Sequence, residues 1–160
     1  MQVTRSKRPL VLGGIGLLVV AGIIVATVIT HAATPKNGPT YATILPSGKS
    51  ITSLGGWQRV SPDGTNPVYA YADTLDNVSI SVSEQPLPTS FTNDGTKLSQ
   101  LAKTYSATNK VDASGISIFI GNSAKGPQSV IFSKKDLLVL VKSTNVIKNS
   151  SWSSYVSSLK

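Results

Sequence analysis

Residues 137–142 read Leu-Leu-Val-Leu-Val-Lys, and this run decides the fold. Five consecutive apolar residues leave no wet face on a strand. Both sides must be covered, which predicts a central strand of a sheet. Just upstream, Val130-Ile131-Phe132 reads as its hairpin partner, joined through Ser133-Lys134-Lys135-Asp136 as a tight turn. Further back, Ile116, Ile118 and Ile120 alternate with Ser117 and Phe119, and residues 110–112 form a strand on the other side of Gly115. Residues 121–126 read as a loop.

Residues 78–85, VSISVSEQ, alternate strictly. Val78, Ile80 and Val82 point one way and Ser79, Ser81 and Ser83 the other, the mark of a half-buried strand with one wet face. Pro86 and Pro88 end it, because proline cannot donate to a ladder. Residues 68–72 form the preceding strand, with residues 73–77 as the hairpin connection. Ser61-Pro62-Asp63-Gly64 is a turn by composition. Gly55-Gly56-Trp57 ends another turn, and Trp57 begins the core.

Two stretches carry helical periodicity. In residues 96–108, Leu98, Leu101, Ala102 and Tyr105 fall at i, i+3, i+4 and i+7, with Asp94 or Thr96 as the cap. At the end of the chain Trp152, Tyr155, Val156 and Leu159 repeat that spacing, with Ser150 or Ser151 as the cap. Alternating strands bracketing only two helical stripes predict an α+β fold: an antiparallel sheet of about five to seven strands with two helices packed on one face. Trp57, Phe132, Trp152 and Tyr155 are the expected core aromatics.

The other end of the chain places this domain. Residues 10–30, LVLGGIGLLVVAGIIVATVIT, are 21 residues without a charge. As a helix they would span about 31 Å, the thickness of a hydrocarbon core. Arg5, Lys7 and Arg8 precede them and favour a cytoplasmic amino terminus. Pro9 suits a first helical position. The expected organisation is a basic cytoplasmic tail (1–9), a transmembrane signal-anchor helix (10–31), a Pro/Gly linker (32–48) and an extracytoplasmic domain (49–160). Within the linker, residues 41–45 either form a first short strand or lie along the domain. Cleavage as a signal peptide is disfavoured. The apolar run exceeds the usual core of about 7–15 residues, and cutting after Ala32 or Ala33 puts Thr30 or His31 where a small residue belongs. Gly14, Gly22 and Ala26 could let two such helices approach, so a homodimer is an option without further support.

Composition excludes several chemistries. Cysteine is absent, which removes disulfides, thiolate metal sites and cysteine nucleophiles. Of 15 basic residues, three precede the apolar run, while all seven acidic residues follow it, leaving a modest net +5 beyond the anchor. No basic run exceeds two residues, so nucleic acid is not an expected partner. The single histidine, His31, stands at the membrane exit, out of reach of any serine in the domain. Asp63, Asp73 and Asp76 lack calcium-loop spacing. Gly48-Lys49-Ser50 ends like a phosphate-binding loop but has no upstream glycine at the required position. No catalytic set, metal site or cofactor is expected, and the chain is expected not to be an enzyme.

The second half resembles the DUF4367-type extracytoplasmic domain of bacterial single-pass membrane proteins and anti-sigma regulators. The resemblance covers about residues 65–160. It is carried by Val111-Asp112-Ala113-Ser114-Gly115, Val130-Ile131-Phe132, residues 137–143 and 152–159, and upstream by Pro67-Val68-Tyr69-Ala70-Tyr71 and Ile80-Ser81-Val82-Ser83-Glu84-Gln85. Phe132 stands where that pattern usually has tryptophan. The resemblance implies no catalytic residues. Only eight residues precede Pro9, so the sigma-binding domain of such regulators is not expected in this tail. The expected function is a noncatalytic, membrane-anchored binding or accessory module of the cell envelope. It would engage the bilayer through residues 10–31 and an envelope protein or wall polymer through its domain. The alternative is a sensor that signals through a separate membrane partner.

Overall fold

The computed structural model describes residues 38–160 apart from Asn93, Ala124 and Lys125. Arg5, Lys7, Arg8, the apolar run, His31 and the start of the expected linker lie outside the described residues. Among the described residues, no helix is long and apolar enough to cross a membrane.

The LLVLV run is the middle of a seven-stranded, wholly antiparallel sheet. The strands are β1 (Gln58–Arg59), β2 (Tyr69–Leu75), β3 (Val78–Pro86), β4 (Asn109–Ala113), β5 (Ile116–Ser123), β6 (Gly126–Lys134) and β7 (Leu137–Ser143). Their spatial order is β1-β2-β3-β7-β6-β5-β4, with β7 in the fourth place. Leu137, Val139 and Val141 enter one core, while Leu138 and Leu140 face the other side. Three helices accompany the sheet: α1 (Thr89–Thr92), α2 (Gly95–Thr104) and α3 (Asn149–Ser158). The fold is α+β, as expected.

The two long helices do not share a face. Trp152, Tyr155, Val156 and Leu159 of α3 pack with Ile80, Val82, Ile118, Ile120, Val130, Phe132, Val139 and Val141. Ala102 of α2, with Leu98, Leu101 and Tyr105, packs on Ile131, Leu138, Leu140 and Phe119 instead. The same apolar continuity that makes β7 central gives β6 and β7 two dry faces, and each needs a helix to cover it. The chain achieves this by crossing from β3 to the far edge strand β4 through α1 and α2, then meandering back to β7.

Three hairpins close with two-residue turns whose central residues are both left-handed: Asp76-Asn77, Ser114-Gly115 and Lys135-Asp136. That geometry matches the twist of the flanking strands. The connection read over 73–77 therefore shrinks to Asp76-Asn77, and β2 runs on through Leu75. The loop read over 121–126 is largely taken up by the ends of β5 and β6, with a register shift between Gly121 and Ser123.

Helix α2 starts where Asp94 accepts from the Thr96 N–H at 2.9 Å, one of the two expected caps. It stops earlier than its periodicity. Ser106 turns left-handed (φ 56°), the Ala107 N–H bonds the Ala102 carbonyl at 2.9 Å, and the Ser106 N–H bonds that of Lys103 at 3.0 Å. This is a Schellman cap with serine in the usual glycine place. The Thr96 hydroxyl, bonding the Asp94 carboxylate, holds its pKa below the ordinary value. Asp94→Ala should therefore raise amide hydrogen exchange in the first turn of α2 at neutral pH and leave the exchange of β6 and β7 unchanged. For α3 the expected serine caps are not used. Lys148 occupies the cap without a side-chain bond, and Gln128 fixes the start instead by accepting from the Ile147 N–H at 2.9 Å and Trp152 Nε1 at 2.8 Å.

The reading of residues 32–48 as linker is corrected for its described part. Ile44 is fully buried, and the Leu45 and Lys160 backbones exchange hydrogen bonds at 3.0 and 2.9 Å. The Ser47 N–H bonds the Ser158 carbonyl at 3.0 Å. Residues 41–47 lie along the domain and close its core. Their prolines bound this arm without keeping Ile44 out of the apolar layer.

Candidate functional site

The inward alternation of β3 does not stop at Val82. Its next member is Glu84, whose side chain stands at 0 % exposure between Tyr69 of β2 and Val139 of β7. A carboxylate buried without a cation is unusual, since removing its hydration costs several kcal/mol unless partners replace it. Here Oε2 accepts the Ile44 N–H at 3.3 Å, while Oε1 has no partner. Burial pushes the carboxyl up from 4.5 to about 7, only partly offset by the Ile44 hydrogen bond.

A polar chain lies beside it on the same face. Tyr41 donates to the Glu84 carbonyl at 2.7 Å, and Tyr71 donates to the Ile44 carbonyl at 3.4 Å. Tyr155 donates to Asp73 Oδ2 at 3.1 Å and reaches the Tyr71 hydroxyl as well. Lys49 pairs with Asp73 Oδ1, which also accepts the Thr74 N–H at 2.7 Å. Burial raises Tyr41, Tyr71 and Tyr155 above their ordinary values, with Glu84 a further cause at Tyr41 and Tyr71. These phenols remain neutral donors at any physiological pH. The chain ties residues 41–49 to β2, β3 and α3. Asp73, Glu84 and Tyr155 in it are buried, while Lys49 reaches solvent.

A cleft opens on the opposite face. The Asn66-Pro67 corner before β2 and the Gln85–Pro88 stretch at the end of β3 enclose a cleft of about 340 Å³, lined by Asn66, Pro67, Gln85, Pro86 and Pro88. That is the small end of the range for ligand pockets. Gln85 is 9 % exposed, and its carboxamide has no hydrogen-bonding partner among the described residues. Three pyrrolidine rings supply apolar walls without adding N–H donors. The arrangement can hold a planar polar group, such as an amide, against Gln85 between apolar sides.

The expected core aromatics are placed as follows. Phe132 and Trp152 are fully buried and Tyr155 nearly so, while Trp57 is half-buried, edge-on to Tyr71 at 5.3 Å and to Tyr69 at 6.4 Å. They do not converge on the cleft. Of the aspartates weighed for calcium, Asp73 is drawn into the polar chain, Asp63 pairs with Arg59 at 3.6 Å, and Asp76 forms a turn. Among the described residues, no cluster of three His, Asp or Glu side chains could hold a metal. Glu84 and Gln85 were not singled out by sequence reasoning. Extending the alternation of residues 78–82 by one step puts Glu84 on the dry face, and that signal could have found it. The cleft carries no local sequence signal, because it joins residues about 20 apart. No family model, curated protein or solved structure matches the chain.

Proposed function

We propose that the chain is a noncatalytic, membrane-anchored binding or accessory module on the outer side of the cell membrane. The cleft at Gln85 carries this reading: a carboxamide without a protein partner among the described residues, set between apolar walls, offers a hydrogen bond to an occupant. The apolar run 10–30 and the preceding basic residues support the placement. A chain of ten residues between Thr30 and Tyr41 reaches at most about 35 Å, so the domain would work close to the bilayer. The fitting occupants are an extended peptide segment of an envelope protein, whose amide matches that of Gln85, and an amide-bearing wall polymer. The resemblance to DUF4367-type domains belongs to the same reading.

The test follows the side-chain amide resonances of Gln85 and Asn66 in the full-length chain held in detergent. Purified wall fragments and a set of extended peptides are added in turn. One class should shift both amides, and Gln85→Ala should weaken that binding roughly tenfold, the worth of one hydrogen bond. Shifts confined to residues away from the cleft, or equal binding by the variant, would contradict the proposal.

A sensor that signals through a separate membrane partner is the second reading. It is favoured by the position of Glu84 against the arm that leads toward the anchor.

A further inference from the structure

We propose that Glu84 is a protonation-controlled latch: its neutral form holds residues 41–47 on the domain, and its ionised form releases them. The latch depends neither on the cleft nor on the anchor. It stands on the geometry of one carboxyl group and one peptide unit. The Ile44 N–H bonds Glu84 Oε2, and the Ile44 carbonyl accepts from Tyr71, so this residue is held from both sides. The Ile44 side chain, fully buried, closes the apolar layer above β2 and β3. Tyr41 anchors the same arm to the Glu84 backbone. When the arm lifts, Glu84 gains water and the unpartnered Oε1 is satisfied.

The surroundings decide which protonation state holds the arm. From the arm comes Tyr41. From β2 come Tyr69, Tyr71 and Asp73, and from α3 comes Tyr155. The strand on the other side, β7, presents Val139. Of the cations on this face, Lys49 is committed to Asp73 and Lys134 to the Val156 carbonyl. The phenols are neutral, so among the described residues the ionised form of Glu84 is favoured by the Ile44 N–H alone. The carboxyl therefore titrates higher with the arm docked, at about 7, than with the arm released, where it regains water. Docking takes up a proton. It is strongest in acid, weakens as pH rises toward about 7, and is constant above that. Neutral surroundings fall at the upper end of this window, so mild acidification would tighten the arm onto the domain.

The experiment uses hydrogen exchange of the full-length chain in detergent at pH 5 and pH 8, normalised to the intrinsic exchange rate at each pH. Exchange of residues 41–47 should rise tenfold or more at pH 8 relative to pH 5, while peptides from β6 and β7 stay protected. Glu84→Gln, a neutral isostere, should abolish that difference and keep the arm docked at pH 8. Tyr41→Phe should loosen the arm at both pH values without removing the pH dependence. Should Glu84→Gln fail to keep β6 and β7 protected, the wild-type comparison decides alone, together with Tyr41→Phe. An arm whose protection does not change with pH in the wild type, or a folded Glu84→Gln that keeps the full pH dependence, would overturn the latch.

Discussion

Trp152→Ala is expected to lower the stability of the domain by about 4 kcal/mol, a large part of the roughly 5–15 kcal/mol that holds a domain of this size. Trp152 is fully buried, stands edge-on to Tyr155 at 6.4 Å, and fills the layer between α3 and the sheet. Its removal loses the transfer free energy of the indole and leaves a cavity that the neighbouring Val130, Val139 and Val141, already held in the sheet, cannot fill. The indole N–H also donates to Gln128 Oε1 at 2.8 Å. That acceptor keeps the Ile147 N–H, so the lost bond adds less than the cavity does. Thermal unfolding of the full-length chain should shift downward by about 15 °C. Trp152→Phe should recover more than half of the loss. A shift under about 5 °C for Trp152→Ala would mean that α3 is not docked by this residue.

Gly121→Ala should cost about 3 kcal/mol by a different route. Its φ lies outside the left-handed region, so ordinary backbone freedom is not the reason for glycine. A Cβ there would fall 1.9 Å from the Ser106 carbonyl oxygen and 2.6 Å from the Ala107 Cα. Both atoms belong to the Schellman cap that ends α2, and Ala107 is fully buried. Backbone cannot swing aside as a side chain can, so the cap must lift from β5 and take Ala102 and Tyr105 with it. Gly95→Ala is the control. It meets nothing within 4 Å at the start of the same helix and should be neutral or slightly stabilising. Equal unfolding temperatures for the two variants would refute the close approach of cap and strand.

Much of the architecture was legible because hydrophobic period is a local signal. LLVLV declared the central strand, VSISVSEQ the wet-faced one, and Trp152, Tyr155, Val156 and Leu159 the docked stripe of α3. What failed needed non-local information. Apolar continuity in residues 130–132 and 137–141 implied two dry faces, yet which helix covers which face depends on the crossover from β3 to β4. The end of α2 was misjudged because Ser106, and not a glycine or asparagine, adopts the left-handed cap. For residues 41–45 the prolines and glycines of the linker left two readings open, a short strand or a segment along the domain, and the second is what the structure shows. Ile44 joins the core because Glu84 and Tyr71 bond its backbone from 40 and 27 residues away, while Lys160 and Ser158 hold the neighbouring Leu45 and Ser47. The cleft was invisible for the same reason, since Asn66 and Gln85 meet only once β2 and β3 have paired.

The placement of the domain outside the membrane underlies the whole functional account, and the absence of cysteine makes it directly measurable. Val146 is 63 % exposed, so Val146→Cys would give the full-length chain a single accessible thiol. Intact cells expressing this variant are treated with a membrane-impermeant maleimide, with a second sample lysed first. The account predicts full labelling of the intact cells. Labelling that requires lysis would place the domain on the inner side and contradict it.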